Sequence, residues 1–215
     1  MKIVAENVSV SIGSKSVVDG CSIDASPGET LTLVGPSGSG KTTLLNVLGL
    51  LQRNDGGAVL LDGVDATSWN DRRRRRFWQQ HAAFVFQDYG LIDEETAEYN
   101  VAVARLSMWG IRPRERPAID AALSRVGLEG RGREKVSTLS GGEKQRVGLA
   151  RAMFRRADVI FADEPTASLD AANRRLVSTY LLGEAARGAT VVIATHDDEL
   201  MSLCDRRLVL TAPAG

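Results

Sequence analysis

Short apolar runs, each about the length of a β-strand, recur along the chain between polar or glycine-containing stretches. Val4, Val8, Val10 and Ile12 alternate with smaller or polar residues, and this period of two predicts a strand. Further strands are predicted at residues 17–23, 31–34, 59–61, 82–86, 159–162, 191–194 and 208–210. Several of these runs are apolar throughout, which is typical of strands buried on both faces of a parallel sheet.

Apolar residues at helical spacing lie between several of these strands. We predict helices at residues 41–51, 171–186 and 198–203, and a helical stretch over residues 92–154 that is broken at Pro113, Pro117 and residues 130–132. Strands that alternate with helices imply a parallel sheet covered on both faces. The helical middle of the chain is then an insertion into an α/β layout.

The composition is that of an ordinary globular protein. The chain has 215 residues, 43% of them hydrophobic and 25% charged, which favours one domain or at most two. Its 27 basic and 27 acidic side chains balance, which argues against a whole surface that binds nucleic acid. No apolar run is long enough to span a membrane and no secretory signal is evident, so we expect neither. Cys21 and Cys204 are expected to be small core residues in a reducing compartment.

One charge run interrupts this balance. Asp71 is followed by the five arginines Arg72, Arg73, Arg74, Arg75 and Arg76. They either contact nucleic acid or phospholipid, or form the solvated face of a helix near an acidic neighbour. We favour the solvated face because the rest of the chain is neutral. The aromatic residues are also unevenly placed, since no Phe, Trp or Tyr precedes Trp69.

A glycine-rich stretch between a predicted strand and a predicted helix matches the phosphate-loop pattern GxxxxGK[ST] in full. Its residues are Gly35, Pro36, Ser37, Gly38, Ser39, Gly40, Lys41 and Thr42. The glycines allow tight turns in which successive N–H groups converge on phosphate oxygens, and the following helix directs its positive end at the same anion. Lys41 adds a full charge, and Thr42 offers a hydroxyl to Mg²⁺, which prefers oxygen ligands.

Two adjacent carboxylates, Asp163 and Glu164, follow the predicted strand at residues 159–162. In an open α/β sheet the carboxyl ends of the strands face the ligand crevice. We therefore expect Asp163 to hold Mg²⁺, directly or through water, and Glu164 to orient and polarise the attacking water.

Two more polar side chains follow core strands. His196 comes after the strand at residues 191–194 and is predicted to contact the γ-phosphate. Gln87 follows the strand at residues 82–86 and could reach the metal or the water. His81 precedes that strand without such neighbours, so we interpret it as a structural or surface residue.

Residues 139–146, Leu-Ser-Gly-Gly-Glu-Lys-Gln-Arg, resemble the signature motif of ATP-binding cassette (ABC) ATPases. The order of the other motifs along the chain also matches that family, so the resemblance covers nearly all of it. It implies an α/β fold with a P-loop NTPase (RecA-like) core, an N-terminal antiparallel β subdomain and an inserted α-helical subdomain. The implied ABC ATP-binding domain spans residues 1–215, with its core at about 1–90 and 157–215 and its helical subdomain at about 91–156.

The resemblance also assigns roles to individual residues. Gln87 corresponds to the Q-loop glutamine, Asp163 to the Walker B aspartate, Glu164 to the catalytic base, His196 to the switch histidine, and Ser168, Leu169 and Asp170 to the D-loop. The residues implied for catalysis are Glu164, His196 and Gln87. Those implied for Mg²⁺ are Thr42, Gln87 and Asp163. Those implied for the nucleotide are the phosphate loop, extended to Thr43, together with Ser140, Gly141, Gly142 and Asp170.

Ser140, Gly141 and Gly142 open a predicted helix and offer a second nest of N–H groups for phosphate. Two such nests about 100 residues apart cannot easily serve one nucleotide within one subunit. The family's solution is a head-to-tail dimer in which Ser140 and Gly142 of one chain reach ATP held by the other, which gives two equivalent sites. The implied cofactors are ATP and Mg²⁺, and one implied partner is a second copy of the chain.

Within the family, residues 44–49, 84–87 and 163–166 resemble the cassettes of macrolide and lipoprotein exporters (MacB/LolD-like). Residues 89–96 resemble more narrowly the cassettes of lactococcin 972-type bacteriocin export. The resemblance implies a separate transmembrane permease that holds the cassette at the cytoplasmic face of the cell membrane. A coupling helix of the permease would enter a groove near Gln87, with apolar contacts from Phe86, Tyr89, Leu91, Ile92 and Trp109.

Two other functions are open to such a chain. One is a soluble ABC ATPase that acts on nucleic acid or the ribosome, but the second cassette, coiled coil or zinc motif usual in such proteins is absent from the sequence. The other is a nucleotide-binding regulator without turnover, but Lys41, Asp163, Glu164 and His196 are all in place. We therefore favour the exporter subunit, without a nucleic-acid partner.

The sequence departs from the family at one position. An aromatic residue that stacks on adenine is usual near position 12, where this chain has Ile12. Stacking of a base on an aromatic ring contributes about 1–3 kcal/mol in single-stranded nucleic-acid complexes. We therefore expect weaker ATP binding, modest discrimination between bases and a detectable GTPase activity.

Overall fold

The computed structural model describes residues 1–106, 110–167 and 169–211. Its strands are β1 (Ile3–Ile12), β2 (Lys15–Ala25), β3 (Thr30–Val34), β4 (Gly56–Leu61), β5 (Val64–Asp65), β6 (Ala82–Val85), β7 (Val159–Asp163), β8 (Thr190–Ala194) and β9 (Arg206–Val209). Its α-helices are α1 (Lys41–Leu48), α2 (Asp71–Gln80), α3 (Ala97–Ala102), α4 (Arg116–Arg125), α5 (Gly141–Arg155), α6 (Ala171–Ala186) and α7 (Asp198–Leu203). Trp109, a predicted groove contact, and Ser168, of the predicted D-loop, lie outside the described residues.

The strands form two sheets. An antiparallel sheet has the strand order β2-β1-β4-β5. A parallel sheet has the order β6-β7-β8-β3-β9. Helices α3, α4 and α5 lie between β6 and β7 in the chain, where the helical insertion is predicted. The predicted fold class is thus confirmed.

The C-terminal ends of β3, β7 and β8 lie side by side in the parallel sheet. Ala194, the last residue of β8, pairs with Leu33 of β3 on one side and with Asp163 of β7 on the other. The segments after these strands carry the phosphate loop, Glu164 and His196. All three segments therefore leave the sheet at one edge, where open α/β sheets bind ligands.

Each face of the parallel sheet contributes to a separate hydrophobic core. Ile160 and Ile193 belong to the core shared with helices α3 to α6. Phe161 and Val192, which are the immediate chain neighbours of these two residues, belong to the core shared with α1 and the antiparallel sheet. Because successive side chains point to opposite faces and both faces are covered, residues 159–162 and 191–194 of these strands are all apolar.

Several expectations from composition can be compared with the structure. Cys21 and Cys204 are free thiols, half-buried against the two cores, and burial raises the pKa of each. His81 forms a surface pair with Asp158 at 2.6 Å, which confirms its structural interpretation. Within the described ranges, no helix is both long and apolar enough to cross a bilayer.

Two helix boundaries differ from the prediction. Helix α1 ends at Leu48 rather than near residue 51, because Gly49 caps it and Leu50 has a φ of 59°. The predicted break at Pro117 is wrong, since Pro117 lies in the first turn of α4. The first N–H groups of a helix have no partner within the helix, so the N–H that proline lacks is not missed there.

Helix α2 contains the arginine run, and one of its arginines is not solvated. Arg74 is 5% exposed, and it donates hydrogen bonds to the carbonyls of Leu50 (3.1 Å) and Trp69 (3.2 Å). Burial, with the nearby charge of Arg53, lowers the pKa of Arg74. The interpretation as a solvated face holds for the other four arginines, which are exposed, and is wrong for Arg74.

Replacement of Arg74 by Met should lower the free energy of unfolding by about 2–4 kcal/mol, because two carbonyls of the chain lose their donor. The same change at the exposed Arg72 should alter it by less than about 0.5 kcal/mol. Urea unfolding followed by circular dichroism measures both. An equal loss in the two variants would contradict a structural role that is specific to Arg74.

Candidate nucleotide site

The phosphate loop connects β3 to α1, and its shape depends on two glycines. A Cβ atom on Gly35 would lie 2.4 Å from the carbonyl oxygen of Leu210, and one on Gly40 would lie 2.5 Å from that of Val17. Both glycines also have positive φ, 152° and 88°. No other residue fits these positions, because the backbone of two strand segments passes against the loop.

The side chain of Lys41 lies over this loop. Its ammonium nitrogen donates to the carbonyls of Gly35 at 2.8 Å and Pro36 at 3.1 Å. The predicted phosphate-binding residues, from the loop glycines to Lys41 and Thr42, are therefore adjacent at the start of α1. A positive side chain and the N-terminus of a helix together make an anion site.

The carboxylate of Asp163 lies beside the start of α1. Its Oδ1 accepts a hydrogen bond of 3.0 Å from the hydroxyl of Thr42. Burial raises the pKa of Asp163 and the charge of Glu164 adds to the rise, while the Thr42 bond and the charge of Lys41 oppose it. A half-buried carboxylate next to a hydroxyl is the kind of oxygen pair that binds Mg²⁺.

Glu164 follows β7 in a left-handed backbone conformation, with a φ of 43°. Its N–H donates to the carbonyl of Ala194 at 2.8 Å, which holds the turn against β8. Its carboxylate accepts a 2.8 Å hydrogen bond from Nδ1 of His196. The Glu164 side chain is 14% exposed and the His196 side chain 76%, so the carboxylate is largely shielded from solvent while the imidazole is exposed. The structure thus brings the two predicted residues together.

Gln87 lines an open cleft of about 580 Å³. The cleft is lined by Thr42, Asn46, Phe86, Gln87, Asp88, Tyr89 and Asp163. The predicted metal set of Thr42, Gln87 and Asp163 therefore shares one cleft. Asn46 lies one helical turn beyond Thr42 on α1, and its place in the cleft was not predicted because it lies outside the phosphate-loop pattern.

Ser140 begins helix α5 and is held by a capping box. Its hydroxyl accepts from the N–H of Glu143, and the Glu143 carboxylate accepts from the Ser140 N–H at 2.8 Å. Arg131, which contacts the same carboxylate, makes the largest contribution to lowering the pKa of Glu143 to about 2. Ser140 and Gly141 are exposed and Gly142 is half-buried, so the start of α5 faces outward.

Helix α5 is also linked to the other motifs by contacts that the sequence did not indicate. Gln145 is buried and donates to the carbonyl of Pro165 at 2.9 Å, just after Glu164. Arg151 donates to the carbonyls of Tyr89, at 2.9 Å, and Gly90, and burial lowers its pKa to about 10. No spacing rule points to these bonds, because backbone carbonyls far apart in sequence accept them.

Asp170 caps helix α6. Its two carboxylate oxygens accept from the N–H and the side-chain amide of Asn173, both at 2.8 Å. The amide oxygen of Asn173 in turn accepts from Arg146 of α5 at 2.9 Å. The predicted D-loop aspartate is therefore connected to the residues that follow the signature glycines.

Ile12 lies at the end of β1, in the turn that leads into β2, and is 60% exposed. It pairs with Lys15, and two residues further along β2 the carbonyl of Val17 lies against Gly40. The exposed tip of this hairpin is therefore close to the phosphate loop.

A parallel sheet with a phosphate loop, a strand-end carboxylate pair and a histidine at one edge defines a P-loop nucleoside triphosphatase. The family model described as "ABC transporter" matches residues 18–167, which is well over half of the chain. The chain belongs to the ABC transporter family, and it is an ATP-binding, ATP-hydrolysing subunit of such a transporter.

Several of the similar curated proteins are ATP-binding proteins of lipoprotein-releasing systems. The lipoprotein-releasing system ATP-binding protein LolD of Porphyromonas gingivalis is 39% identical over 209 residues, which cover 97% of this chain and 95% of the relative. LolD 1 of Caulobacter vibrioides is 42% identical over 198 residues, 91% of this chain and 84% of the relative. The predicted likeness to LolD-like cassettes is confirmed, whereas the narrower likeness to lactococcin 972-type cassettes stays a prediction.

Solved structures agree with the fold. The dimeric structure of the ABC transporter cassette MJ0796 matches with a TM-score of 0.89 and 30% identity, over 97% of this chain and 94% of that one. A post-hydrolysis dimer of MJ0796 bound to ADP and phosphate matches with a TM-score of 0.88 and 29% identity, over the same shares.

Proposed function

We propose that the cleft at the edge of the parallel sheet binds the triphosphate of ATP and that Glu164 is the general base. The observation that carries this assignment is the 2.8 Å hydrogen bond between Glu164 and His196, at the ends of two neighbouring strands. It orients a carboxylate that is largely shielded from solvent, and the outer ring nitrogen of His196 is left to contact the γ-phosphate.

Hydrolysis then needs one proton acceptor and one charge that stabilises the transferred group. Glu164 accepts a proton from water while the water oxygen bonds to the γ-phosphorus. The bond from the γ-phosphorus to the bridging oxygen breaks in the same displacement, which yields ADP and phosphate. Lys41, already placed at the loop carbonyls, offsets the negative charge on the phosphates.

Mg²⁺ fits the oxygen donors of Thr42, Asp163 and Gln87 on the wall of the cleft. When bound, it would neutralise negative charge on the phosphates of ATP. In the part of the chain that the structure describes, no group of three or more His, Cys, Asp or Glu side chains could hold a metal. Phosphate oxygens and water would therefore complete the coordination, as is usual for Mg²⁺.

A second copy of the chain would complete each site. Ser140, Gly141 and Gly142 present the start of α5 outward, and Asp170 is connected to the same helix through Asn173. Exposed N–H groups at a helix start suit the γ-phosphate of ATP held by the partner. A two-fold axis gives two such sites, and the MJ0796 relatives are described as dimeric.

Mixing two inactive variants tests this composite site. Lys41→Ala disables the phosphate loop, and Ser140→Arg blocks the signature. A mixed dimer has one site in which both defects coincide and one site that is intact. With random pairing, half of the dimers are mixed, so the mixture should recover up to about a quarter of the wild-type ATPase rate.

The controls are each variant alone at the same total protein concentration, which should be inactive. If the ATPase rate of the mixture does not exceed the mean rate of the two variants, the composite site is wrong. Each chain would then hydrolyse ATP with its own signature motif, or without any signature motif. Refolding each variant separately before mixing keeps misfolded protein from being counted as loss of function.

We also propose a docking groove for a transmembrane permease. An apolar groove beside the ATP cleft is lined by Trp78, Ala82, Ala83, Phe84, Phe86, Val103, Arg151, Ala152 and Arg155. Phe86 lines both the groove and the cleft, so a helix seated in the groove would contact the Gln87 segment directly. Among the other predicted contacts, Tyr89 lines the cleft, Leu91 packs on a core and Ile92 is 42% exposed.

The groove lies between the two parts into which we divide the domain. Residues 1–90 and 157–215 would form the nucleotide core, and residues 91–156 the helical subdomain. A permease helix between them would place the cassette at the cytoplasmic face of the membrane. The names of the LolD relatives, which belong to lipoprotein-releasing systems, support export.

Nucleotide selectivity should reflect the absence of an aromatic residue at Ile12. We expect ATP and GTP to bind within about tenfold of each other, with measurable GTP hydrolysis, and Ile12→Tyr to tighten ATP binding about tenfold. Isothermal titration with ATP, GTP and a ribose triphosphate that lacks the base measures the contribution of the base. A strong preference of the unmodified chain for ATP over GTP would contradict this prediction.

A further inference from the structure

The exposed arginines of α2 have no role in the ATP site. Arg72, Arg75 and Arg76 lie at helical spacing on one face and, with Asp71 and Gln79, line an open cleft of about 420 Å³. Among the described residues, none of the three forms an ion pair or a hydrogen bond from its side chain. We call this surface, formed by Arg72, Arg75, Arg76 and Gln79, the basic face.

Some exposed arginines elsewhere in the protein have acidic partners. Arg116 pairs with Glu98, Arg187 with Glu184 at 2.6 Å, and Arg206 with Glu29 at 2.9 Å. The whole chain has zero net charge, so the basic face is not a consequence of excess Lys and Arg. It is a local concentration of unpaired charge.

The position of the basic face in the helix makes this concentration unfavourable in the isolated chain. Arg72 lies in the first turn of α2, at the positive end of the helix dipole. Arg72 also repels Arg75 and Arg76, three and four positions on, by about 0.2–0.5 kcal/mol for each pair. Anions outside the chain would relieve both repulsions.

The same helix reaches the apolar groove. Trp78, one turn after Arg75, lines the groove and donates from its indole N–H to the carbonyl of Gly49 at 2.9 Å. The basic face therefore borders the groove that we assign to the permease. Docking of a permease in that groove would bring the basic face near the bilayer that holds the permease.

We propose that the basic face of α2 binds the phosphate headgroups of anionic phospholipids, and this proposal rests on the proposed docking of a permease. Guanidinium groups form paired hydrogen bonds with phosphate, and a few basic side chains near a surface suffice when a permease already holds the protein there. Nucleic acid fits less well, because its binding needs a wider basic footprint than three arginines in a neutral protein.

Vesicle sedimentation of the purified cassette tests the proposal without any permease. Vesicles of phosphatidylcholine alone are compared with vesicles that contain about one-third phosphatidylglycerol, at low and physiological salt. We expect binding to the anionic vesicles only, weakened by salt. The variant R72Q/R75Q/R76Q should bind about 100-fold more weakly, since each arginine near an anionic surface contributes about fivefold. Arg74 is left intact because it supports the fold.

A matched control removes three exposed arginines elsewhere, as R112Q/R114Q/R133Q. This control should bind the anionic vesicles as the unmodified chain does. Equal loss in both triple variants, or no binding by the unmodified chain, overturns the proposal. Tighter binding to a DNA duplex than to anionic vesicles at the same salt also overturns it, in favour of nucleic acid.

The ATPase rate of R72Q/R75Q/R76Q should equal that of the unmodified cassette, because the basic face does not line the ATP cleft. Subunit mixing therefore tests the composite ATP site, whereas vesicle binding tests the lipid proposal. If mixing restores activity but the anionic vesicles are not bound, only the lipid proposal fails. If the vesicles are bound but mixing restores nothing, the assignment of the composite ATP site fails instead.

Discussion

Replacement of Glu164 by glutamine should slow ATP hydrolysis by at least about 100-fold, because general-base catalysis typically contributes about 100- to 10,000-fold. Glutamine has nearly the same shape, and its amide oxygen can still accept the hydrogen bond from His196, which is 2.8 Å away in the native protein. ATP binding should therefore persist. In the native protein, hydrolysis should loosen the ATP-bound dimer. Because the variant does not hydrolyse ATP, it should accumulate as a dimer when ATP is present.

Two measurements check this result. Phosphate release gives the rate, and size-exclusion chromatography with ATP and Mg²⁺ gives the fraction of dimer. Asp158→Asn is a matched control, because it removes a carboxylate that contacts a histidine, His81, at 2.6 Å on the surface away from the cleft. The control should hydrolyse ATP at the native rate. Turnover that persists in Glu164→Gln would show that another group is the base.

Much of this site could be predicted because its chemistry is local in sequence. The phosphate loop needs glycines at fixed spacing, and Asp163 and Glu164 need only to follow a buried strand at the crevice edge. The register that brings Asp163 opposite Ala194 then places His196 nearby without further information. The covering of both sheet faces was likewise implied by the alternation of strands and helices.

The remaining features depend on contacts between distant backbone groups, for which sequence patterns give no signal. Arg74 looks like its four neighbours in the sequence, yet only its position on α2 faces the carbonyl of Leu50. Arg151 and Gln145 lie on a helix whose apolar spacing was evident, but their acceptors are carbonyls at residues 89, 90 and 165. Such bonds appear only once the helix has been packed in three dimensions.

The phosphate loop permits a second prediction with a large effect. Gly40→Ala should weaken ATP binding by at least about 100-fold. The added Cβ would lie 2.5 Å from the carbonyl oxygen of Val17 and 3.0 Å from Cγ2 of Val18, and the residue has a φ of 88°. Alanine there cannot be accommodated unless the loop or β2 moves. Because Gly40 caps α1, such a movement would displace the N–H groups that should face the phosphates.

The magnitude follows from the number of hydrogen bonds at risk. A hydrogen bond to a charged group contributes about 1.5–3 kcal/mol, so the loss of two costs about 3–6 kcal/mol, and 1.4 kcal/mol is a factor of ten. Titration of a fluorescent ATP analogue with Mg²⁺ measures the affinity. A thermal melt of the same sample shows whether the variant is folded at the assay temperature.

Gly20→Ala separates the effect of backbone strain from that of the collision. Gly20 also has a positive φ, 57°, but nothing lies within 4 Å of the position that its Cβ would occupy. This control should lose about 1–2 kcal/mol of stability and keep its ATP affinity within about threefold. If Gly40→Ala were folded and bound ATP as tightly as Gly20→Ala, the loop between β3 and α1 would not be the phosphate site. The contrast between the two alanines therefore tests the position of the nucleotide and not merely the stability of the fold.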